Sequence, residues 1–195
     1  MTAQRNRIRP ARREDAGALA ELVNYAGEGM PFYLWGKLAD LGETAWEVGR
    51  RRAAREEGSF SYRNAIIAEH DGQAAGCLIG YEIAADPVPI SMETPPMFAP
   101  LQELENLASG TWYVNVLAVL PRFRNLCLGS ALLGLADQTG RRLGKRGMSV
   151  IVAGNNHGAR RLYERFGYRE TARRTMVKED WISEGHEWML LVKSL

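Results

Sequence analysis

The sequence predicts a mixed α/β fold, a mixed sheet with helices on its faces. Three observations carry this. Amphipathic helical stripes and short apolar strands follow one another along the chain. Two of the strands, residues 112–120 and 148–153, are apolar on both faces, which places them centrally in a sheet. Each of these two runs directly into a helical pattern. The 195 residues suit one domain at roughly 100–200 residues per domain. A domain of this size buries roughly 70% of its unfolded surface and needs no metal or disulfide staple.

The elements read in order as follows. Residues 7–11 form a short extended segment that Pro10 restricts to an edge or end. Ala16, Leu19, Ala20 and Val23 recur at helical spacing behind Asp15, which is read as the cap, and Gly27 and Gly29 end the helix. A second helical region starts near Pro31, with Leu34, Leu38 and Leu41 on one face. Thr44 and Glu47 fit a capping box for a helix reaching about Glu57. Its arginines are read as a solvated face.

From Asn64 the period changes. Residues 65–69 and 73–83 are two strands joined at Asp71-Gly72, a strong hairpin signal, with His70 read as a turn residue. Residues 84–100 carry five prolines and form an irregular insertion, with a short helix at 101–107. Loops of this length inside compact domains are often functional lids. Pro121 stops the strand at 112–120. A helix at 129–143, the strand at 148–153, a short helix ended by Gly167, and two strands near 170–177 and 186–193 complete the chain.

Composition excludes several classes. Lys and Arg total 25 against 23 Asp and Glu, giving a net charge of +2. That is too small to argue for nucleic acid or a membrane surface as the main partner. The N-terminus has no apolar core and is not read as a secretory signal. No apolar run approaches the ~18 residues of a membrane span. Cys77 and Cys127 lack metal spacing and suit free thiols in a reducing compartment, so a cytoplasmic location is expected. His70, His157 and His186 are far apart in sequence, and no metal centre is expected. No P-loop, dinucleotide fingerprint, His-Glu-x-x-His or Gly-x-Ser-x-Gly motif is present.

The informative stretch runs from Val119 to Leu133. A buried strand stops at Pro121, and a turn carrying Arg122, Arg124 and Gly129 leads straight into a helix. Free N–H groups at a helix start, aided by the helix dipole, form an anion site. The alternative is an ordinary connection whose glycine packs the helix on the sheet.

This stretch resembles the acyl-CoA-binding motif of the GNAT superfamily, the Gcn5-related N-acetyltransferases. Val119, Pro121, Arg124 and Gly129 match its Val-x-Pro-x-x-Arg/Gln-x-x-Gly-x-Gly/Ala pattern. Cys127 stands where the first glycine usually is. A Cβ there is admissible if the backbone is αR-like and costly if φ is positive. Downstream, Asn156, Ala159, Leu162, Tyr163 and Gly167 match the family's Asn-x-x-Ala-x-x-Leu-Tyr-x-x-x-Gly-Phe segment, with Tyr168 for the phenylalanine.

The resemblance implies a single-domain acyl-CoA N-acyltransferase fold over residues 1–195. Its sheet is mostly antiparallel, with splayed fourth and fifth strands. Residues 84–111, an insertion between the third and fourth strands that carries no family motif, are expected from their length to be an acceptor-site lid. The resemblance also implies acetyl-CoA as cosubstrate. The pyrophosphate would lie on the turn formed by Arg124, Asn125, Leu126, Cys127, Leu128, Gly129 and Ser130. The pantetheine would lie along the backbone of Leu117, Ala118 and Val119. Asn156, with Ala159 beside it, would hold the pantetheine arm, although Asn156 equally suits a helix N-cap. Asn115 is read either as marking a bulge or as a buried, satisfied amide.

The implied reaction is direct attack of an amine on the thioester through a tetrahedral intermediate. Tyr163 matches the family's general acid, with core packing as its other reading. Glu82 is the first choice of base, with Glu103 and Glu105 behind it. A small-molecule primary amine is the leading acceptor. A protein lysine or N-terminus is the runner-up, and a catalytically silent acyl-CoA-binding module is the reading from a different class. Homodimers are frequent in the family.

Overall fold

A computed structural model describes residues 6–195 of the chain; the first part of the N-terminal stretch read as lacking a signal lies outside them. Seven strands are present: β1 (Asn6–Pro10), β2 (Ala65–His70), β3 (Gln73–Glu82), β4 (Thr111–Val119), β5 (Gly147–Ala153), β6 (Arg169–Thr175) and β7 (Glu187–Ser194). Six helices accompany them: α1 (Ala16–Ala26), α2 (Met30–Lys37), α3 (Ala45–Ala53), α4 (Ala99–Asn106), α5 (Leu128–Arg142) and α6 (His157–Arg165). The sheet order is β1-β2-β3-β4-β5-β7-β6. The β1–β2, β2–β3, β5–β7 and β6–β7 ladders are antiparallel, and β4 pairs with β5 in parallel. That parallel ladder runs from Thr111 opposite Gly147 to Val114 opposite Val150 and stops there, although β4 continues to Val119 and β5 to Ala153. The pairing ends one residue before Asn115. This is the splay that the resemblance implies.

The chain divides into two compact units. The first holds the residues up to Gly80 together with Val116–Leu135. Its core is built from α1 (Leu19, Ala20, Leu22, Val23), α2 (Trp35), α3 (Val48, Ala53) and the strand residues Ile67, Cys77, Ile79 and Ala118. Each fully buried aliphatic side chain contributes about 1.5–3 kcal/mol. Asp71 (φ 49°) and Gly72 (φ 77°) make the tight β2–β3 turn, since two consecutive positive-φ residues match the twist of a hairpin. At Ala68 and Glu69 the β2–β3 register shifts and leaves Ala75 as the extra residue. The Ala75 carbonyl accepts from the N–H of Leu120. Gly76 sits where a Cβ would fall 2.5 Å from the Ala118 carbonyl oxygen, so only glycine allows β3 and β4 to approach there.

Several expectations are corrected in this unit. Asp15 stands before α1 but makes no side-chain cap bond to it. Its carboxylate instead takes both Arg9 Nη atoms at 2.7 and 2.8 Å and the Arg12 N–H at 2.7 Å. A bidentate, charge-assisted pair outcompetes a neutral cap bond. The leucine stripe of the second helix is not core: α2 ends at Lys37, and Leu38 and Leu41 are exposed. Trp35 fills the core position, stacked on Phe60 at 5.8 Å. The Thr44–Glu47 capping box forms, but α3 stops at Ala53 rather than near Glu57. His70 is not a turn residue; it is the buried last residue of β2.

The second unit holds Tyr81–Asn115 and Ala136–Leu195. Its centre is β5 and β7, apolar on both faces, with Met148, Met189, Leu190 and Leu191 buried. Helix α4 packs against β5, β6 and β7 and presents the buried Leu104. The proline-rich segment ahead of α4 is irregular, as its composition dictates. It is tied to α4 by Asn106, whose side chain bonds both the N–H and the carbonyl of Val88 at 2.9 Å. No helix among the described residues is long and apolar enough to cross a membrane.

Candidate active site

Within the first unit, β4 passes into the turn at an extended Leu120. Pro121–Phe123 form a single 3-10 turn, with Phe123 buried. Asn125 (φ 62°) and Cys127 (φ 60°) are both left-handed. The first helical bond of α5 runs from Ala131 N–H to the Cys127 carbonyl. The N–H groups of Leu128, Gly129 and Ser130 therefore precede the helical ladder. Three amides ahead of the ladder, at the positive end of a 15-residue helix, are suited to an oxyanion. Asparagine tolerates the left-handed region, but cysteine does so at a cost of order 1 kcal/mol. The Cys127 thiol is exposed and the Cys77 thiol buried. The Arg124 guanidinium carbon lies 5.8 Å from the centroid of the Tyr25 ring, and Nη2 donates to the Tyr25 hydroxyl.

Within the second unit, Asn156 is the N-cap of α6; its Oδ1 accepts from Ala159 N–H at 3.1 Å. Tyr163 lies on the inner face of α6, buried, with its ring 5.6 Å from that of Tyr168. Burial raises its pKa above the ordinary phenol value. Beside it in electrostatic terms is Tyr113, which is also influenced by Glu105 and Tyr81.

The carboxylates read from the sequence fall into three different settings. Glu82 is half-exposed and held by the Lys145 ammonium. Glu103 is paired with Arg174. Glu105, two residues further along α4 and so on its other side, faces inward. Burial raises its pKa above the usual carboxylate value, opposed by a hydrogen bond from Tyr81, whose hydroxyl lies 3.4 Å from Oε1. The Tyr81 and Tyr113 rings meet edge to face at 5.4 Å. Tyr81, Glu82, Asp86, Gln102, Glu105 and Asn106 line a pocket of ≈ 210 Å³. Sequence reading missed Tyr81 and Tyr113. The usable signal was their placement, one at the end of the third strand and the other at the start of the fourth. Among the described residues no group of three or more His, Cys, Asp or Glu is placed to hold a metal ion.

Comparison with known proteins agrees with this geometry. Residues 34–168 match the model of the acetyltransferase (GNAT) family. The chain belongs to that family, a family of acyltransferases. No curated protein sequence matches it significantly. Among solved structures, an acetyltransferase superposes with a TM-score of 0.65 at 24% identity, over 96% of this chain and 98% of the other. A mosquito arylalkylamine N-acetyltransferase-like protein superposes with 0.68 at 18% identity, over 98% and 100%. A GNAT family acetyltransferase from Elizabethkingia anophelis, solved with acetyl-CoA bound, superposes with 0.50 at 18% identity, over 67% and 75%. These likenesses establish the fold.

Proposed function

We propose that the chain transfers the acetyl group of acetyl-CoA to the primary amine of a small molecule. The observation that carries this reading is the turn between β4 and α5. Its two left-handed residues lead into three amides that precede the helical ladder, and Arg124 lies in the same turn. That donor set fits a pyrophosphate, and the motif residues Val119, Pro121, Arg124 and Gly129 fall on it. The backbone of Leu117, Ala118 and Val119 supplies strand-like hydrogen-bonding groups for an amide-bearing arm. In the second unit Asn156 and Ala159, which lie on the second motif segment, are assigned to coenzyme binding.

Acetyl-CoA supplies the activated acyl group as a thioester. The chain's residues supply two proton movements. Tyr163 holds a proton for the leaving sulfur. Its own pKa is raised by burial, and a thiolate in the same apolar surroundings is raised with it, so the transfer is not opposed by the full difference from water. The carboxylates lining the pocket take the proton of the amine, Glu105 first. Burial makes Glu105 the stronger base, whereas Lys145 neutralises Glu82. We assign Glu82 to the acidic wall that an ammonium acceptor meets as it enters. The ≈ 210 Å³ pocket is smaller than the roughly 300–1,000 Å³ that drug-sized ligands occupy, which favours a compact amine over a peptide. The insertion at 84–111 furnishes this pocket through Asp86, Gln102, Glu105 and Asn106, in keeping with a role as acceptor-site cover. Similarity in fold to an arylalkylamine N-acetyltransferase-like protein supports the same acceptor class.

The test is release of CoA thiol from acetyl-CoA across a panel of aryl and alkyl amines, amino-acid derivatives and lysine peptides, after calorimetric titration with acetyl-CoA and desulfo-CoA. Micromolar binding with turnover on small amines is expected. Turnover on peptides alone would move the acceptor to the runner-up class. Binding without turnover on any acceptor would make the chain a silent module.

A further inference from the structure

Two residues outside the family motif, Asn6 and His70, converge on the turn between β4 and α5. Asn6 of β1 is paired in register with His70 of β2. The His70 Nδ1 lies 2.7 Å from Asn6 Oδ1. The other end of the same amide, Nδ2, donates to the carbonyl of Leu126 at 3.3 Å. The His70 ring packs at 5.7 Å against that of Phe123, in the first half of the turn. His70 is 7% exposed and Phe123 8%, so this contact lies inside the first unit, while the amide of Asn6 faces the rim.

The geometry orders the protons. Asn6 uses its NH2 group on Leu126, so its oxygen is the acceptor toward His70, and Nδ1 of His70 carries the hydrogen. Leu126 lies between the two left-handed residues of the turn. Its peptide link to Cys127 is planar and trans, so the carbonyl and the following N–H point in opposite directions. Fixing the Leu126 carbonyl toward β1 therefore fixes the Cys127 N–H away from it. That amide directly precedes the three amides at the start of α5 that lie ahead of the helical ladder.

We propose that Asn6 and His70 are positioning residues for coenzyme binding. His70 orients the Asn6 amide, and Asn6 holds the Leu126–Cys127 peptide in the orientation that presents its N–H to a pyrophosphate. The arrangement performs from outside what a glycine in the motif ordinarily leaves to backbone freedom, at the position where this chain carries cysteine. The inference rests on the phosphate-site reading above.

The experiment compares the wild-type chain with Asn6→Ala, His70→Phe and the double variant. His70→Phe retains a ring against Phe123 and removes the Nδ1 donor. Dissociation constants are measured for acetyl-CoA by calorimetry. Those for acetyl-pantetheine, which has no pyrophosphate, are measured by NMR at millimolar ligand. Asn6→Ala is expected to weaken acetyl-CoA about fivefold, the loss of one hydrogen-bonded constraint, and to leave acetyl-pantetheine within twofold. The double variant is expected to match Asn6→Ala, because His70 acts through Asn6. An unchanged acetyl-CoA constant in Asn6→Ala would overturn the proposal, as would an equal loss for both ligands or additive losses in the double variant. Asn6 is exposed, so Asn6→Ala decides the matter even if His70→Phe does not fold. Failure of the wild-type chain to bind acetyl-CoA would instead overturn the phosphate-site reading, and this proposal with it.

Discussion

The guanidinium of Arg124 donates to the hydroxyl of Tyr25 and lies against the face of its ring. Helix α1 thereby holds the one motif arginine of the turn between β4 and α5. An unrestrained arginine loses up to about 2 kcal/mol of side-chain entropy on binding. Tyr25→Phe removes the hydroxyl and keeps the ring. It is expected to weaken acetyl-CoA two- to threefold, and Arg124→Ala about tenfold, in a direct titration.

Cys127 carries a Cβ at a φ of 60°. Cys127→Gly removes that cost and is expected to stabilise the chain by about 0.5–1 kcal/mol, offset in part by the greater freedom of glycine in the unfolded state. Cys127→Val places a β-branched residue at the same φ and is expected to destabilise it by more than 1 kcal/mol. Urea midpoints at constant m-value read both changes.

Gly76→Ala would set a methyl group 2.5 Å from the Ala118 carbonyl oxygen. Backbone on both sides leaves little room to yield. A loss of about 2 kcal/mol or more is expected by chemical denaturation. Stability equal to wild type would show that β3 and β4 can separate at this point.

Tyr163→Phe is expected to lower kcat by about 10²-fold and to leave the acetyl-CoA dissociation constant within twofold. Burial holds the Tyr163 proton more tightly than an ordinary phenol does. Its ionisation therefore imposes no alkaline loss of rate below about pH 10. A wild-type rate in the variant would remove Tyr163 from the chemistry.

Glu105 makes an opposed prediction for rate and stability. Its folded pKa is raised above the unfolded value by burial, so its charged form is disfavoured in the fold. The stabilisation is fully present below the unfolded pKa of about 4.3 and is lost as pH rises through the folded value. Glu105→Gln is therefore expected to raise Tm at pH 7–8 and to leave it little changed at pH 4. The same substitution is expected to abolish the acidic limb of kcat/KM. Glu82→Gln, removing the carboxylate already paired with Lys145, is expected to raise KM for cationic amines more than it lowers kcat.

How far the sequence could be read depended on whether local pattern or distant packing decided the outcome. The hairpin at Asp71-Gly72, the capping box at Thr44 and the buried strands on either side of α5 are set by neighbours within a few residues, and all were legible. The turn between β4 and α5 was legible for the same reason, because Pro121, Arg124 and Gly129 lie within one connection. The leucines at 34, 38 and 41 misled because spacing cannot show where a helix stops; α2 ended at Lys37 and the core took Trp35. The Asp15 cap failed because the competing partner, Arg9, comes from the neighbouring strand. The different settings of Glu103 and Glu105 depend on which faces of α4 meet β5, β6 and β7, and that of Glu82 on Lys145; no local period records either. At Cys127 the sequence posed a question about φ that the backbone of the turn answers.

Neither compact unit is a continuous stretch of chain. The first lacks Val116–Leu135 until the intervening residues 81–115 have been made. During synthesis, Ile67, Cys77 and the inner side of α1 must wait without the Ala118 segment that joins their core. At about 5–20 residues per second, that interval is several seconds. The ribosome, rather than the equilibrium fold, is where this protein's apolar strands are most exposed to wrong partners.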